Sequence, residues 1–335
     1  MEEQNTNIQV SLNEQDQIQG LFFKPYKSQK KAAKAPDGVK EREDELQIAD
    51  GKKLSGRLTT PAEGKSFPLV ILLAGSGPND MDETIYDNKP FQDIAWGLAK
   101  KGIASYRYDK RTYTYPESFT VKDTVEQEVI FDAVAAFSQM KQQKQIDTNK
   151  IYILGHSLSG YLIPRIAAET DGCAGYIMMA APARALDELL MEQVTYLAKL
   201  DGNLTKDEQA AIDQYKQDQQ DLQRIDELSD AKIFFGGMSK AYMKDLLSYD
   251  AVQQAADIKV PVLCAQGLRD YQVTEEDQAI WRKNFETHKN WKFTTYPNAT
   301  HLMIDGEGTP TNEEYKTKGH VNQAFIEDMA SFIKK

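Results

Sequence analysis

Two rhythms of apolar and polar positions alternate along most of this chain. The run "PLVILLA" at 68–74 is continuously apolar, as in a strand buried on both faces. "FQDIAWGLAKKG" (91–102) has helical spacing and ends on a glycine suited to a helix C-terminus. Strand-like "IASYRYD" (103–109) follows. Residues 122–144 then form a long amphipathic pattern with Val125, Val129, Ile130, Ala133, Val134 and Phe137 on one face. "IYILG" (151–155) reads as a strand, Ser159 to about Glu169 as a helix, and "GYIMMA" (175–180) as another strand. The alternation resumes with "VPVLCAQG" (260–267), a helix near 275–285, "WKFTTYP" (291–297) and a helix near 321–333. Such succession predicts βαβ units, hence an α/β fold with a mostly parallel sheet flanked by helices.

Two stretches leave this rhythm. Residues 1–40 carry little core signal; "KPYKSQKKAAKAPDG" reads as a linker or loosely packed extension, with "GLFF" (20–23) as a small patch able to dock. From Glu41, two strand-like runs flank Asp50-Gly51, a hairpin signal. Residues 185–250 are rich in Glu, Gln, Asp, Lys and Leu and predict several helices inserted between two strands, with Gly236-Gly237 as a turn. The expected organisation is therefore an extension (1–40), a core (41–184 and 251–335) and a helical cap insertion (185–250).

Composition narrows the class. With 335 residues, 41% hydrophobic and 27% charged, the chain has material for a sizeable core. Its net charge of −11 opposes binding to nucleic acid or to anionic membranes, so no polyanion partner is expected. Cys173 and Cys264 stand in apolar contexts and read as buried small hydrophobes; two cysteines exclude a disulfide framework and a cysteine zinc site. The acidic start "MEEQNTNIQVSLNEQ" lacks the basic and apolar segments of a secretory signal, and no apolar run nears the roughly 20 residues of a membrane span. A cytoplasmic protein is expected, or a secreted one whose leader lies outside this sequence.

The chemistry begins at "GHSLSG" (155–160), between strand 151–155 and the following helix. A serine in a sharp strand-to-helix turn is the setting of a nucleophile elbow, which needs small residues two positions to either side. Gly155 meets the first need. Ser159 stands where a second glycine is usual, with Gly160 directly after it. The competing reading of Ser157 is an ordinary helix N-cap. As nucleophile it would have the Leu158 N–H as an oxyanion donor at the positive end of the helix.

The chain has four histidines. His156 adjoins Ser157 and is expected to point away; His288 falls at the opposite edge of a parallel sheet; His320 precedes the last helix and reads as capping or surface. His301 comes just after strand 291–297, and ligands bind outside the carboxyl ends of such strands. Asp270, three residues past Gly267, follows strand 260–266 and is the candidate acid that orients the imidazole. Taken alone, Asp270 is an ordinary turn residue. Together the order is Ser157, Asp270, His301, each after a separate predicted strand.

"LLAGSGPNDMDE" (72–83) follows the first buried strand, and no Gly-Lys-Ser/Thr completes a phosphate loop. It suits a second oxyanion donor, the N–H of Ser76, with glycines on both sides for close approach. Arg107, Asp109 and Arg111 are expected to form an ion-pair cluster bracing this loop.

These segments, with "NKPFQDIAWGLAKKGIASYRYDKRT", "GLRDYQV" and "THLM", resemble a bacterial α/β-hydrolase esterase family with a Gly-Ser-Gly-Pro-x-Asp loop. The resemblance runs from about Glu41 to the C-terminus. It implies the α/β-hydrolase fold and hydrolysis of carboxylic esters by a Ser-His-Asp triad without metal or organic cofactor. The chain departs from the pattern at Ser159 and at Met81, where an arginine is often found. The expectation is an esterase for small or medium acyl groups. Thioesterase, acyltransferase and peptidase use the same triad and stay open, as does a noncatalytic binding protein of this fold. Residues 232–243, "KIFFGGMSKAYM", are expected to line the pocket beneath the cap, or else to form the cap's own core.

Overall fold

The computed structural model describes residues 6–12, 18–25 and 34–335, in two compact units, Met1–Pro36 and Asp37–Lys335. In the first unit, β1 (Thr6–Leu12) and β2 (Ile18–Pro25) pair antiparallel, where the sequence suggests only a linker or loose extension. The "GLFF" backbone lies in β2; docking of that patch, and residues 26–33 of the basic stretch, fall outside what is described.

The second unit opens with β3 (Val39–Gln47) and β4 (Lys53–Pro61), an antiparallel pair turning through a 3-10 element at Ala49–Gly51. Then come β5 (Phe67–Leu73), α1 (Pro90–Lys100) and β6 (Ala104–Tyr108). After α2 (Arg111–Thr114), a π-helical segment (Glu126–Ile130) runs into α3 (Phe131–Met140). Next are β7 (Ile146–His156), α4 (Leu158–Tyr161), α5 (Ile163–Glu169) and β8 (Gly175–Met179). Pro164, which has no N–H to continue the ladder, marks the break between α4 and α5.

Between β8 and β11 (Val262–Gly267) lie α6 (Leu186–Ala198), α7 (Lys206–Leu222), a short hairpin of β9 (Ile233–Phe234) and β10 (Met238–Ser239), α8 (Lys240–Leu247) and α9 (Ala251–Ala255). A capping box, Thr205 with Glu208, starts α7. Phe234, Phe235 and Met243 pack with Leu222 and Ile225 in a small cluster of their own. Phe234, Phe235, Met238 and Met243 of "KIFFGGMSKAYM" thus build local core. The chain closes with α10 (Glu275–Phe285), β12 (Trp291–Tyr296) and α11 (Gln323–Ile333).

The sheet order is β12-β11-β8-β7-β5-β6-β4-β3, parallel from β12 to β6 and antiparallel at the β6-β4-β3 edge. Side chains alternate across it. Leu69, Ile71 and Leu73 of β5 enter one core, with Ile151 and Ile153 of β7 and the apolar faces of α3 and α5. Val70, Leu72 and Ala74 enter the other, with Leu154 and the faces of α1 and α11. Both faces are covered, which is why the central strands read as unbroken apolar runs. The chain departs from β5 to β6 on one side and to β7 on the other. In such sheets ligands bind at a reversal of this kind, outside the carboxyl ends of the strands, here those of β5 and β7.

Candidate active site

Ser157 follows directly on β7 with φ 51° and ψ −117°, a conformation that disfavours any residue with a Cβ. Its surroundings over-determine it. The Ser157 N–H donates to the Met179 carbonyl at 2.9 Å, tying the turn to the end of β8. The chain doubles back so tightly that a Cβ on Gly155 would overlap the Ser159 carbonyl, and one on Gly160 would lie 2.7 Å from Ala181 Cβ. Glycine is therefore needed at 155 and 160, and position 159 has room for a side chain. Ser159 is fully buried, and its Oγ donates to the Ala74 carbonyl at 2.6 Å, fastening the elbow to the end of β5. Ser157 does not cap the helix that follows: its side chain bonds no N–H there.

Asp270 follows β11, and His301 lies just beyond the Tyr296 end of β12 and the turn after it. His301 Nδ1 is 2.7 Å from Asp270 Oδ2. A carboxylate can only accept, so His301 carries its proton on Nδ1 and leaves Nε2 as an acceptor. Asp270 is buried and held on every side. Oδ1 accepts from the N–H groups of Gln272 (2.8 Å) and Val273 (2.9 Å), and Oδ2 also accepts from Gln266 Nε2 (3.2 Å). Among the described residues no hydrogen bond joins Ser157 Oγ to His301; in ligand-free enzymes that contact is often long and tightens with substrate.

What links the elbow to His301 is His156, a residue whose place in the sequence suggests no part in the site. It is wholly buried, its ring centroid 4.6 Å from that of His301, with Nε2 3.0 Å from the His301 carbonyl oxygen and Nδ1 2.8 Å from Glu83 Oε1. Both ring nitrogens face acceptors, as only an imidazolium would satisfy. Burial opposes that charge, but the Glu83 carboxylate, the His301 carbonyl and the more distant Asp270 outweigh it and raise the pKa above 6.5. Glu83 Oε1 also accepts from the Gly75 N–H at 2.6 Å, so one carboxylate ties the glycine loop to the elbow.

The glycine loop is braced throughout. Lys110 Nζ donates to the Gly75 carbonyl and to Glu128 Oε1, both at 2.6 Å; Glu128 Oε1 accepts from the Gly77 N–H at 3.1 Å. Asn79 Nδ2 donates to the Ser76 carbonyl (2.9 Å). The N–H groups of Ser76 and Leu158, the two candidate oxyanion donors, bond to no protein acceptor among the described residues. Arg107, Asp109 and Arg111, expected to cluster, each hold a partner elsewhere. Arg107 pairs with Asp82 (2.7 Å) and Glu41 (2.9 Å), Asp109 accepts from the Met81 N–H (2.7 Å), and Arg111 turns away to Asp132 on α3. Arg107 braces the loop through Asp82, and Asp109 through the Met81 N–H.

A cavity of about 200 Å³ adjoins Asp270, lined by Tyr271, Leu268 and Thr274 and, from α6, by Glu192 and Tyr196. A larger one of about 670 Å³ lies between α6 and α7 and includes none of the candidate catalytic residues. No group of His, Cys, Asp and Glu among the described residues is arranged to hold a metal ion. Nor is any described helix long and apolar enough to cross a membrane.

Known proteins match this arrangement. The family described as serine aminopeptidase, S33, matches residues 88–308. Esterase EstD of Thermotoga maritima is 39% identical over 328 residues, which is 97% of this chain and 76% of the relative. Among solved structures, Est1E from Butyrivibrio proteoclasticus shares the fold at TM-score 0.57 and 19% identity, over 88% of this chain and 99% of that one. The Pyrococcus furiosus esterase Pf2001 does so at TM-score 0.56 and 17% identity, over 88% and 91%. The chain therefore belongs to the serine aminopeptidase S33 family of α/β-hydrolases.

Proposed function

We propose that this chain is a carboxylesterase-type serine hydrolase that cleaves esters of small or medium acyl groups through an acyl-enzyme on Ser157. Its relative EstD is an esterase, similar along nearly the whole of this chain. The observation that supports the site assignment is the 2.7 Å hydrogen bond between buried Asp270 and His301 Nδ1, which leaves Nε2 free to act as a base; Ser157 stands in the strained elbow.

His301 Nε2 takes the Ser157 proton as Oγ attacks the ester carbonyl carbon. The carbonyl oxygen becomes an oxyanion received by the N–H groups of Ser76 and Leu158, and Asp270 stabilises the imidazolium. Collapse breaks the carbonyl carbon to alkoxy oxygen bond, and His301 returns the proton to the leaving alcohol. Water, deprotonated by His301, then attacks the acyl-enzyme and releases the carboxylic acid and Ser157. The substrate is a small-molecule ester, and a net charge of −11 disfavours nucleic acid or an anionic membrane as partner. Residues 185–250 cap the site; the α6 side chains of Glu192 and Tyr196 in the small cavity beside Asp270 support this.

A fluorophosphonate probe followed by peptide mapping tests the reading. The adduct is expected on Ser157 and absent in Ser157→Ala. Labelling elsewhere, or undiminished ester turnover in that variant, would defeat it. A panel of esters, thioesters and aminoacyl amides defines the leaving-group class.

A further inference from the structure

The peptide unit between Gly75 and Ser76 has its C=O and N–H pointing in opposite directions, because the bond is planar and trans. Whatever holds the Gly75 carbonyl therefore aims the Ser76 N–H. That carbonyl is held by Lys110 Nζ at 2.6 Å and, at 3.2 Å, by Asn79 Nδ2, and Lys110 is itself held by Glu128 Oε1 at 2.6 Å. Glu128 grips the loop on the far side of Ser76 as well, through the Gly77 N–H. Its other oxygen, Oε2, accepts from Tyr242 Oη at 2.6 Å. Tyr242 lies on α8, 114 positions away in the chain, in the segment inserted between β8 and β11.

All three side chains are buried, Lys110 at 5%, Glu128 at 6% and Tyr242 at 7% exposure, so water does not compete for these hydrogen bonds. Glu128 projects from the π-helical segment Glu126–Ile130, the irregular turn ahead of α3. π-Helical turns of this kind recur at functional sites, where the extra residue re-aims a side chain. A second tie runs beside the first: Arg165 of α5 pairs with Asp245 of α8 at 2.7 Å. The cap segment is thus fastened to the elbow helices and to the glycine loop by separate contacts.

We propose that Tyr242 is a positioning residue for the oxyanion site, acting through Glu128 and Lys110 to set the direction of the Ser76 N–H. The inference rests on the reading of Ser157 as nucleophile and Ser76 as oxyanion donor, and deepens it by making the cap segment part of the catalytic geometry. Among the described residues the Tyr242 hydroxyl donates to Glu128 and bonds none of Ser157, Asp270 and His301. Its hydroxyl fixes one carboxylate oxygen, leaving the other in register with Lys110 and Gly77.

Tyr242→Phe removes that one hydroxyl and keeps the ring; Glu128→Gln keeps the shape and removes the charge. Each is measured for kcat, KM, urea midpoint and affinity for a trifluoromethyl ketone, whose hemiketal oxyanion needs the same donors as the transition state. A tilted Ser76 N–H predicts a fall in kcat of about tenfold or more with KM within about twofold. Hemiketal affinity should fall by the same factor. The double variant should be no worse than Glu128→Gln alone, since both break one relay. The Glu128→Gln series gives a second reading if Tyr242→Phe does not fold. Unchanged kcat, or a loss of kcat without loss of hemiketal affinity, would overturn the relay. Mapping the wild-type phosphonate adduct separates the two levels. An adduct away from Ser157 overturns the nucleophile assignment and the relay with it, whereas an adduct on Ser157 with unaltered variants overturns the relay alone.

Discussion

His156 and His301 lie ring against ring, centroids 4.6 Å apart, with His156 Nε2 3.0 Å from the His301 backbone oxygen. The residue before the proposed nucleophile, Ser157, thus holds the backbone of the proposed general base, and Glu83 holds that residue in turn. Glu83→Gln removes the anion facing a buried imidazolium and weakens the grip on the Gly75 N–H. Breaking one half of a buried pair costs about 3–5 kcal/mol, so the urea midpoint should fall markedly. Turnover at temperatures where the variant stays folded should drop about 10–100-fold through misplacement of His301 and the loop. Wild-type turnover in a folded Glu83→Gln enzyme would mean the pair is only structural.

The same pair predicts how stability depends on pH. The folded pKa of His156 is raised above 6.5, so its contribution is complete below about 6.5 and is lost as pH rises through the folded value. Asp82 and Glu128 have the opposite sign. Burial works against their charge, but Arg107 and Lys89 around Asp82, and Lys110, Tyr242 and the Gly77 N–H around Glu128, outweigh it. Their folded pKa values lie below 3.8 and 4.5. Their contributions are present above those values and disappear as pH falls through the lower folded ones. Urea midpoints measured across the pH range should decline on both flanks. In His156→Asn the alkaline decline should shrink; an unchanged alkaline flank in that variant would contradict the assignment.

The strands were legible because burial on both sheet faces leaves no polar alternation to confuse with a helix, as at 68–74. The pairing of Asp270 with His301 was legible because each of the candidates Ser157, Asp270 and His301 follows its own strand, and order along the chain suggests grouping them. Glu83, Glu128 and Tyr242 were not. Their partners stand 73 and 114 positions away, and no local spacing encodes such a contact. One signal was present: Glu128 sits three residues after Val125 and next to Val129, a charge inside an apolar helical face. The π turn that aims it is a backbone hydrogen-bond pattern without a residue signature. Arg107 and Arg111 take different carboxylate partners for a geometric reason. Arg107 ends an inward-facing position of β6, while Arg111 starts a helix that turns its side chain to α3.

Ser159 looks like a defect in the elbow and is instead a tie between β5 and β7. Ser159→Ala leaves the buried Ala74 carbonyl without its 2.6 Å donor, at a cost of about 1–3 kcal/mol. Turnover should change less than about threefold, since the glycines that the turn needs stand at 155 and 160. Gly160→Ala, by contrast, drives a methyl against Ala181 and should lose activity and stability together. Thermal melts and ester turnover of the two variants separate the roles; equal damage from both would refute the division.

Asp270→Asn isolates the tautomer argument from the fold. The amide oxygen of the substituted side chain can keep accepting from the N–H groups of Gln272 and Val273, which hold Asp270 Oδ1 at 2.8 and 2.9 Å, so the loop after β11 should survive. The amide nitrogen would then face His301 Nδ1 as a donor. A donor there demands a lone pair on Nδ1, which moves the ring proton to Nε2, where the Ser157 proton must go. The base is thereby lost without any displacement of the imidazole. Loss of the correct tautomer costs about 10⁴ in turnover in the serine protease that defines this effect, and a fall of about 10³–10⁴ is expected here with KM nearly unchanged. The loss should shrink at alkaline pH, where hydroxide can deprotonate Ser157 directly. Turnover within about tenfold of wild type at neutral pH would show that the Asp270–His301 bond serves packing and not proton transfer.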